Sequence, residues 1–283
     1  MKTALITGPA RGIGAAVARL LAARGMRLAL VGLEPERLAA LANELGPGHV
    51  WIECDVTDGA AMERAVAQSV EALGGLDVVV ANAGIAAHGT VAVMPMKAMA
   101  RVAQVNLIGV LNTVGATIKH VLDRRGYFLL VSSAAAIAPA PGLAAYCATK
   151  SGVEQFGNAL RLEVAHHGVD VGVAYPSWTD TDLVRDAQQG SSTFNRMVRN
   201  LPGPFGKITS LDECAASIAD CIAHRRRKVF IPKSLGTFAA LRQLLTSPLG
   251  EWLAKRDARK LVPALEKDVK ESGQYFGANS VER

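Results

Sequence analysis

Short apolar runs alternate along this chain with longer amphipathic stretches. The apolar runs are rich in β-branched residues and predict seven strands, at 4–7, 28–33, 49–54, 77–81, 127–131, 170–174 and 228–231. Between them, apolar residues recur at helical spacing, as Ile13, Val17 and Leu20 do. Strands that are almost wholly apolar and alternate with helices indicate a parallel sheet covered on both faces. The pattern predicts an α/β fold with a doubly wound, seven-stranded parallel sheet, and ligand sites beyond the carboxyl ends of its strands.

Two segments break this alternation. Residues 176–209 are rich in Ser, Gly, Pro and Gln and show little periodicity, which predicts a long mobile loop of the kind that often covers a site. Residues 234–283 follow the last strand and have helical spacing, interrupted by prolines. We therefore expect one main unit, 1–233, with 234–283 as a C-terminal helical extension of the same domain.

Composition indicates a large folded core. Half of the 283 residues are hydrophobic and 20% are charged, which excludes a disordered or collagen-like chain. No apolar run reaches the roughly 18 residues of a membrane-spanning helix, and Gly8 and Pro9 end the first apolar run too early for a signal peptide. The four cysteines form no CxxC pair and have no metal-ligand spacing, which favours reduced thiols and no metal site. These features predict a cytoplasmic location.

Positive charge is concentrated in one part of the chain. The net charge is +6, yet residues 225–260 carry ten Lys or Arg against two acidic residues. Only 5% of residues are aromatic, whereas a nucleic-acid interface would interleave aromatic with basic residues, so we expect no nucleic-acid partner. Within 236–260 the basic residues accompany apolar residues at helical spacing, among them Leu249 and Trp252. Such a stripe either packs on the protein or a second subunit, or makes peripheral contact with an anionic membrane.

A glycine-rich turn lies between the first strand and the helix that follows it. Gly8, Gly12 and Gly14 belong to the sequence Thr-Gly-Pro-Ala-Arg-Gly-Ile-Gly. Glycines permit a tight turn and let backbone N–H groups at the start of the helix approach a pyrophosphate. The turn is a candidate dinucleotide site, although a merely tight loop would carry the same pattern.

Tyr146 and Lys150 form a candidate acid/base pair. They are four residues apart in a predicted helix, which puts both side chains on one face. An ammonium group beside a phenol favours the phenolate and lowers a pKa that is ordinarily about 10. Ser133, thirteen residues before Tyr146, ends a predicted strand and can hold the same substrate oxygen from the other side. In isolation, such a Tyr/Lys pair is more often an ordinary surface feature.

Together, these motifs resemble those of the short-chain dehydrogenase/reductase superfamily. The resemblance covers residues 1 to about 232 and rests on the glycine pattern from Thr7 to Gly14, Asn82-Ala83-Gly84, Asn106, Ser133, Tyr146 and Lys150. It implies a Rossmann-type fold in which 1–233 binds NAD or NADP and interconverts an alcohol and a ketone or aldehyde. It also implies a homodimer or homotetramer, with the helices after Met96 and Ser151 as pairing surfaces.

The resemblance implies a role for each catalytic residue. Tyr146 would be the general acid in reduction and the general base in oxidation, with Ser133 orienting the substrate oxygen. Lys150 would also hold the nicotinamide ribose. Asn106 would support a water that leads from Lys150 to solvent.

The remaining matches concern the cofactor. Asp55 would meet the adenine, Thr181 would bind the carboxamide, and Asn82 would brace the sheet beside the cofactor. The full set of implied cofactor contacts is Gly8, Arg11, Gly12, Ile13, Gly14, Leu33, Asp55, Val56, Asn82, Gly84, Tyr146, Lys150, Pro176 and Thr181.

The chain departs from the family where the two cofactors are distinguished. Gly32 stands where NAD-dependent members usually carry an aspartate for the ribose hydroxyls, and Leu33 lacks the arginine often used for a 2′-phosphate. Glu34 opposes a 2′-phosphate or bonds a ribose hydroxyl, whereas Arg11 and Arg37 attract a phosphate. The balance leans to NAD.

The substrate is a small molecule, and apolar residues in the segment 176–209 and in the extension, such as Phe194 and Phe238, favour a lipophilic one. A long-chain or polycyclic alcohol or ketone would suit them. The alternative function is a catalytically silent protein that binds NAD(P) as a sensor. Because the whole set of proton-transfer residues is present, the sequence favours the enzyme.

Overall fold

The computed structural model describes residues 2–190, 192–201, 203–245 and 247–277. The strands are β1 (Thr3–Thr7), β2 (Arg27–Gly32), β3 (Val50–Glu53), β4 (Val78–Ala81), β5 (Tyr127–Val131), β6 (Asp170–Pro176) and β7 (Lys228–Ile231). The α-helices are α1 (Gly12–Ala23), α2 (Pro35–Leu45), α3 (Gly59–Leu73), α4 (Met96–Ala103), α5 (Gly109–Asp123), α6 (Ala144–Glu163), α7 (Asp182–Gly190), α8 (Ser192–Asn200), α9 (Leu211–Ala223), α10 (Leu235–Ala240), α11 (Arg242–Leu245) and α12 (Pro248–Ser272). A π-helical segment, Gln104–Ile108, joins α4 to α5.

The seven strands form one parallel sheet in the order β3-β2-β1-β4-β5-β6-β7. The predicted Rossmann-type fold, with a doubly wound seven-stranded sheet followed by C-terminal helices, is confirmed. The strand order reverses between β1 and β4, which are parallel neighbours with Ala4 opposite Val78. In such sheets a crevice opens at the carboxyl ends of the two strands where the order reverses. The residues that follow β1 and β4 therefore lie side by side at this edge.

Both faces of the sheet are covered by helices. Successive side chains of a strand point to opposite faces, so each strand contributes residues to the cores on both sides. In β1, Ile6 belongs to a buried cluster that includes Val17 of α1 and Ile218 of α9. Its neighbour Leu5 belongs to the cluster on the other face, which includes Val66 of α3. In the central strands neither face meets water, which explains why those strands are continuous apolar runs in the sequence, whereas the edge strand β3 is partly exposed.

One helical stretch, Met96–Asp123, is long and apolar enough to cross a membrane by length and composition. It consists of α4, the π-helical segment and α5, and it packs in the core with Val102, Val110 and Val121 buried. No other helix in the described part of the chain meets both criteria. The stretch is a core helix of an α/β domain, covered by the sheet and by α3.

The prediction of a long loop between 176 and 209 is wrong, because α7 and α8 lie there. Val184 and Ala187 are buried on α7, and Phe194 and Val198 on α8, at the three- and four-residue spacing of amphipathic helices. Ala187, Phe194 and Val198 form one cluster, against which Trp178 packs. The many polar residues between these positions dilute the periodicity on which sequence inspection depends.

The extension is attached to the rest of the chain near its start, where Leu235 is fully buried, and again near its end. Near its start, Nη1 of Arg242 donates to Oε2 of Glu154 on α6 at 3.0 Å, and the Tyr175 hydroxyl donates to the same carboxylate at 3.0 Å. Near its end, Leu265 and Val269 of α12 are buried. The first half of α12 makes no comparable contact and presents apolar side chains to solvent.

Gly157 tests how closely α6 packs on the sheet. A Cβ atom at Gly157 would lie 2.7 Å from Cγ2 of Val173 and 3.1 Å from Cδ1 of Leu130, both in buried strands. Gly157→Ala should therefore lower the free energy of unfolding by about 1–3 kcal/mol in urea denaturation, because the core has no space for the methyl group.

Gly115→Ala is the control, because Gly115 lies on α5 with no heavy atom of the described chain close enough to meet a Cβ. Alanine there should raise the free energy of unfolding by about 0.5–1 kcal/mol through helix propensity alone. Equal effects at the two positions would contradict the tight packing of α6.

Candidate active site

The turn after β1 is shaped by three glycines. Gly8 and Gly12 have φ values of 65° and 55°, a region that favours glycine. A Cβ atom on Gly14 would lie 2.5 Å from the carbonyl oxygen of Gly8 and 2.6 Å from Nδ2 of Asn82, so no larger residue fits. In the described chain no side chain caps α1, and its first turn holds no acidic residue. The N–H groups of Gly12, Ile13 and Gly14 are therefore left for an anion, which fits the pyrophosphate of a dinucleotide.

Asn82 ties this turn to the next strand of the crevice. Its Nδ2 donates to the carbonyl oxygens of Thr7 at 3.0 Å and Gly8 at 3.1 Å. The backbone N–H groups of Asn82 and Ala83 donate to Oγ1 of Thr7 at 3.1 and 3.2 Å. The ends of β1 and β4 are thus joined by side-chain hydrogen bonds beyond the sheet itself.

Glu34, just beyond β2, forms ion pairs with two arginines. Its carboxylate accepts hydrogen bonds from Arg11, one of them from Nε at 3.2 Å, and Nε of Arg37 lies 3.3 Å from it. Nη1 of Arg11 is buried and has no hydrogen-bond partner among the described residues. A Cβ atom on Gly32 would meet its nearest neighbours at 3.7 Å, so Gly32 and the half-buried Leu33 leave space beside the arginines. This corner carries a net positive charge.

Asp55 lies just beyond β3 and is held by three donors. Its carboxylate accepts from the backbone N–H and the hydroxyl of Thr57, both at 2.9 Å, and from Nη2 of Arg101 at 3.2 Å. Burial favours the neutral acid, but these bonds outweigh that effect and lower the pKa of Asp55. Val56 is buried against Gly109, where a Cβ atom would lie 2.6 Å from its Cγ2. Asp55 is therefore a fixed acceptor, suited to an amino group such as that of adenine.

Pro176 and Thr181 lie where β6 leads into α7. The carbonyl oxygen of Pro176 accepts a hydrogen bond from Oγ of Ser133 at 3.3 Å. Cγ2 of Thr181 lies 3.4 Å from the position of a Cβ atom on Gly12, so the start of α7 touches the glycine-rich turn. Both residues lie at the same edge of the sheet as the turn and Ser133, and the carboxamide contact of Thr181 stays a prediction.

Tyr146 and Lys150 stand one turn apart on α6. Nζ of Lys150 lies 5.6 Å from the centre of the Tyr146 ring and donates to the carbonyl oxygen of Val131 at 3.0 Å. The Ser132 hydroxyl donates to the carbonyl oxygen of Lys150 at 2.7 Å, which fixes this part of α6 against the end of β5. Lys150 is only 4% exposed, and burial lowers its pKa to about 8. At pH 7 the ammonium therefore still carries its charge beside the phenol.

Burial determines the protonation of Tyr146. It raises the pKa of Tyr146, and a hydrogen bond with Ser133 opposes that rise without reversing it. The net direction is opposite to the lowering that the Tyr/Lys spacing predicts, because removal of water destabilises the phenolate. Tyr146 is consequently protonated at neutral pH and can donate a proton.

Asn106 lies in the π-helical segment and joins three parts of the site. Its Oδ1 accepts from the backbone N–H of Ile85 at 2.8 Å, and its Nδ2 donates to the carbonyl oxygen of Ile85 at 2.9 Å and to Oγ1 of Thr149 at 3.3 Å. A Cβ atom on Gly84 would lie 3.3 Å from Oδ1 of Asn106 and 3.4 Å from Nζ of Lys150. Asn106 and Lys150 therefore both lie close to Gly84, and their shared catalytic role stays a prediction.

The structure brings the predicted site residues together at the carboxyl edge of the sheet, and it adds several that sequence inspection misses. Arg101 and Thr149 hold Asp55 and Asn106, while Tyr275 and Phe276 pack in the apolar cluster that contains Tyr146. None of the added residues has a local signal, because each meets a partner that lies far away in the sequence.

Comparison with known proteins identifies the family. Residues 2–192 match the family described as short chain dehydrogenase. An uncharacterized oxidoreductase of Myxococcus xanthus is 30% identical over 260 residues, which are 90% of this chain and 97% of that protein. A glycine betaine reductase of Emericella nidulans is 36% identical over 222 residues, which are 77% of this chain but only 17% of that protein. An alcohol dehydrogenase from Thermococcus sibiricus, complexed with 5-hydroxy-NADP, is similar in structure with a TM-score of 0.70 at 27% identity, over 81% of this chain and 95% of that chain.

The fold and the site define an oxidoreductase that uses a nicotinamide dinucleotide. The chain belongs to the short-chain dehydrogenase family, and the resemblance seen in its motifs is confirmed. Its Rossmann-type fold, its oxidoreductase class and its use of NAD or NADP accord with that membership.

Tyr146→Phe removes the proton donor and keeps the ring. We expect turnover to fall by at least about 10²-fold, the scale of a lost general acid. Cofactor binding, followed by tryptophan fluorescence, should be unchanged, because the ring and Lys150 remain in place.

Tyr127→Phe is the matched control. The Tyr127 hydroxyl donates to the carbonyl oxygen of Arg226 at 2.8 Å, away from the site, so its loss should reduce stability but not turnover. Near wild-type turnover by Tyr146→Phe would show that another group moves the proton.

Proposed function

We propose that this chain is a carbonyl reductase that reduces a lipophilic ketone or aldehyde with NADPH. The observation that carries the proposal is the partly buried, protonated phenol of Tyr146 beside the Lys150 ammonium and the Ser133 hydroxyl. Carbonyl reduction needs a group that starts the reaction with a proton to give, and burial keeps Tyr146 in that form. The same residues run the reverse oxidation when the phenol is deprotonated.

The chain's own residues orient the substrate and move the proton. A reduced nicotinamide, when bound, supplies the hydride that converts the carbonyl carbon into an alcohol carbon. The Ser133 hydroxyl orients the carbonyl oxygen, and Tyr146 gives its phenolic proton to that oxygen as negative charge develops there. The Lys150 ammonium stabilises the phenolate left behind. Solvent then returns a proton to Tyr146, for which the position of Asn106 next to Lys150 is suited.

The charges around Glu34 favour NADPH over NADH. The lean of the sequence toward NAD depends on a Glu34 carboxylate that is free to repel a 2′-phosphate or to bond a ribose hydroxyl. That carboxylate is instead paired with Arg11 and Arg37, which together outweigh its charge. Nη1 of Arg11 is available to donate to a phosphate oxygen. These contacts support NADPH as the preferred cofactor.

Uncharged rings near the site support a lipophilic substrate. The rings of Trp178 and Phe194 meet edge to face with their centres 5.2 Å apart, and the His88 ring lies 5.4 Å from Phe194. Burial lowers the pKa of His88 to about 4, so its ring is neutral at pH 7. Met99 joins the apolar cluster that contains Tyr146. An apolar carbonyl compound is stabilised by burial against such surfaces.

Turnover and binding with both cofactors test this proposal. The purified protein should oxidise NADPH in the presence of aryl or alkyl ketones. It should bind NADPH at least about tenfold more tightly than NADH, the scale of one hydrogen bond between charged groups. Arg11→Gln should remove that preference, which fluorescence titration with each cofactor measures.

The control for Arg11→Gln is Arg19→Gln, since Arg19 lies further along α1 and pairs with Glu44 at 2.6 Å on the surface. It should keep the preference for NADPH. Tight cofactor binding without turnover of any ketone would support the silent sensor instead. Equal affinity of the wild-type protein for the two cofactors would contradict the preference for NADPH, but it would not contradict the reductase function.

We further propose that the exposed face of the extension contacts an anionic membrane surface. Five large apolar side chains of the extension are exposed by 42% to 68%, namely Leu241, Leu244, Leu249, Trp252 and Leu253. In the described part of the chain these side chains are only partly covered, which favours a lipid surface or a second subunit as their partner. Two copies of the strongly basic segment 225–260 would repel each other, whereas anionic head groups complement it. Pairing of subunits through α5 and α6, which the family resemblance implies, stays a separate prediction.

Vesicle sedimentation tests the membrane contact. The wild-type protein should co-sediment with phosphatidylserine-containing vesicles at low salt and be released near 1 M salt, where the Debye length is about 3 Å. The double variant Leu249→Ser, Trp252→Ser should stay in solution, because it loses the apolar residues that enter the interface.

Leu162→Ser is the control, since Leu162 is the most exposed large apolar residue described, at 79%, and lies on α6 outside the extension. It should sediment as the wild type does. The face instead binds a second subunit if two results are found together. The wild-type protein does not bind vesicles, and the double variant is a smaller oligomer than the wild type in analytical ultracentrifugation.

A further inference from the structure

The chain that follows α12 crosses the front of the active site. Gly273 ends the helix in the left-handed region, at a φ of 62°, and its N–H donates to the carbonyl oxygen of Val269 at 2.9 Å. The chain then turns toward the loop that follows β4. The N–H of His88 donates to the carbonyl oxygen of Tyr275 at 2.8 Å, and Phe276 forms an antiparallel bridge with Ala87. The segment 274–277, here termed the strap, therefore lies along the loop between β4 and α4 as a short added strand.

The side chains of the strap pack in the same cluster as the proton donor. Tyr275 and Phe276 lie with Ala145 and Tyr146 of α6 in an apolar cluster whose buried members are Ala87, Met94, Ala98 and Val102. At the other end of the strap, a Cβ atom on Gly277 would lie 2.8 Å from Oδ2 of Asp186 on α7. The strap thus reaches from the loop after β4 to the helices that cover the site.

The second half of α12 holds the strap in place. The Thr90 hydroxyl donates to Oε1 of Glu266 at 2.8 Å. Val269 lies beside Gly89, where an added Cβ atom would be 3.7 Å from the Val269 side chain. Leu265 lies beside Gly142, where an added Cβ atom would be 3.4 Å from the Leu265 side chain. These contacts attach α12 to the loops on both sides of Tyr146, because one follows β4 and the other precedes α6. The strap is therefore positioned by packing and hydrogen bonds on both sides of the site.

We propose that Tyr275 and Phe276 form the outer wall of the substrate pocket and limit the size of the ketone that reaches Tyr146. The inference rests on the proposed reductase function and names its substrate class as compact aryl or alkyl ketones. Rings supplied by a backbone-bonded segment form a firm wall, so a larger ring system would have to displace them. Both residues lie outside 2–192, the part of the chain that matches the family, which makes the wall a feature of this extension.

Phe276→Ala tests the wall. Its kcat/KM for a two-ring ketone such as 2-acetylnaphthalene, relative to a one-ring ketone such as acetophenone, should rise by at least about tenfold, the scale of a few methylene groups in a pocket. Phe276→Leu should give an intermediate ratio and guards against loss of folding in the smaller variant. NADPH affinity should be unchanged in both, because the strap contacts no residue of the glycine-rich turn in the described structure.

Leu162→Ala is the control, since Leu162 is an exposed apolar residue on α6 that is absent from the cluster around Tyr146. Its ratio should equal that of the wild type. The proposed wall is wrong if Phe276→Ala has the wild-type ratio of kcat/KM for the two ketones while it still binds NADPH and unfolds cooperatively on heating. Ketone binding in the presence of NADP⁺, which supplies no hydride to a ketone, gives the same size ratio without turnover and is followed through quenching of tryptophan fluorescence. If ketone size affects binding but the protein reduces no ketone, the proposed reductase function is wrong and the proposed pocket wall stands.

Discussion

Two hydrogen bonds from the Asn82 carboxamide to the carbonyl oxygens of Thr7 and Gly8 set the geometry on which the site depends. Parallel strands bring their carboxyl ends to one edge, but the sheet ladder does not fix the loops beyond it. Asn82 fixes them, and it lies so close that Gly14 has no space for a side chain. Two residues later, Gly84 lies close to both Asn106 and Lys150. The glycine-rich turn and the proton-transfer residues are therefore fixed relative to each other, which reaction at a bound carbonyl requires.

Burial shifts the pKa values of both proton-transfer residues. Removal of water lowers the pKa of Lys150 and raises that of Tyr146, so it favours the neutral form of both groups. A phenolate is then costly except when the Lys150 ammonium stands beside it and a substrate oxygen has just taken the proton. The neutral His88 ring continues the same uncharged surface. The reaction therefore creates a phenolate beside an ammonium that is already charged at pH 7.

Most of the fold could be predicted from sequence because buried parallel strands are apolar at nearly every position. Each predicted strand differs from the observed one by two residues or fewer at either end, as 170–174 does from Asp170–Pro176. Residues that follow strands, such as Ser133, could be placed at one edge for the same reason.

Features that depend on contacts between distant segments could not be predicted. The helical spacing of Phe194 and Val198 is hidden by polar neighbours. The bridge between Ala87 and Phe276 leaves no local pattern at all, and the protonation of Tyr146 depends on how much water the assembled fold removes.

The carboxylate of Glu154 limits how this enzyme can be recombined with its relatives. It is buried on the same helix as Tyr146 and Lys150, and part of its compensating charge comes from Arg242 in the extension. A chimera that takes its C-terminal helices from a homologue without that arginine would leave a carboxylate inside the protein with less positive charge around it, a costly arrangement. The catalytic helix and the extension are therefore a matched pair, and domain shuffling or directed recombination should keep α6 and α11 from the same parent.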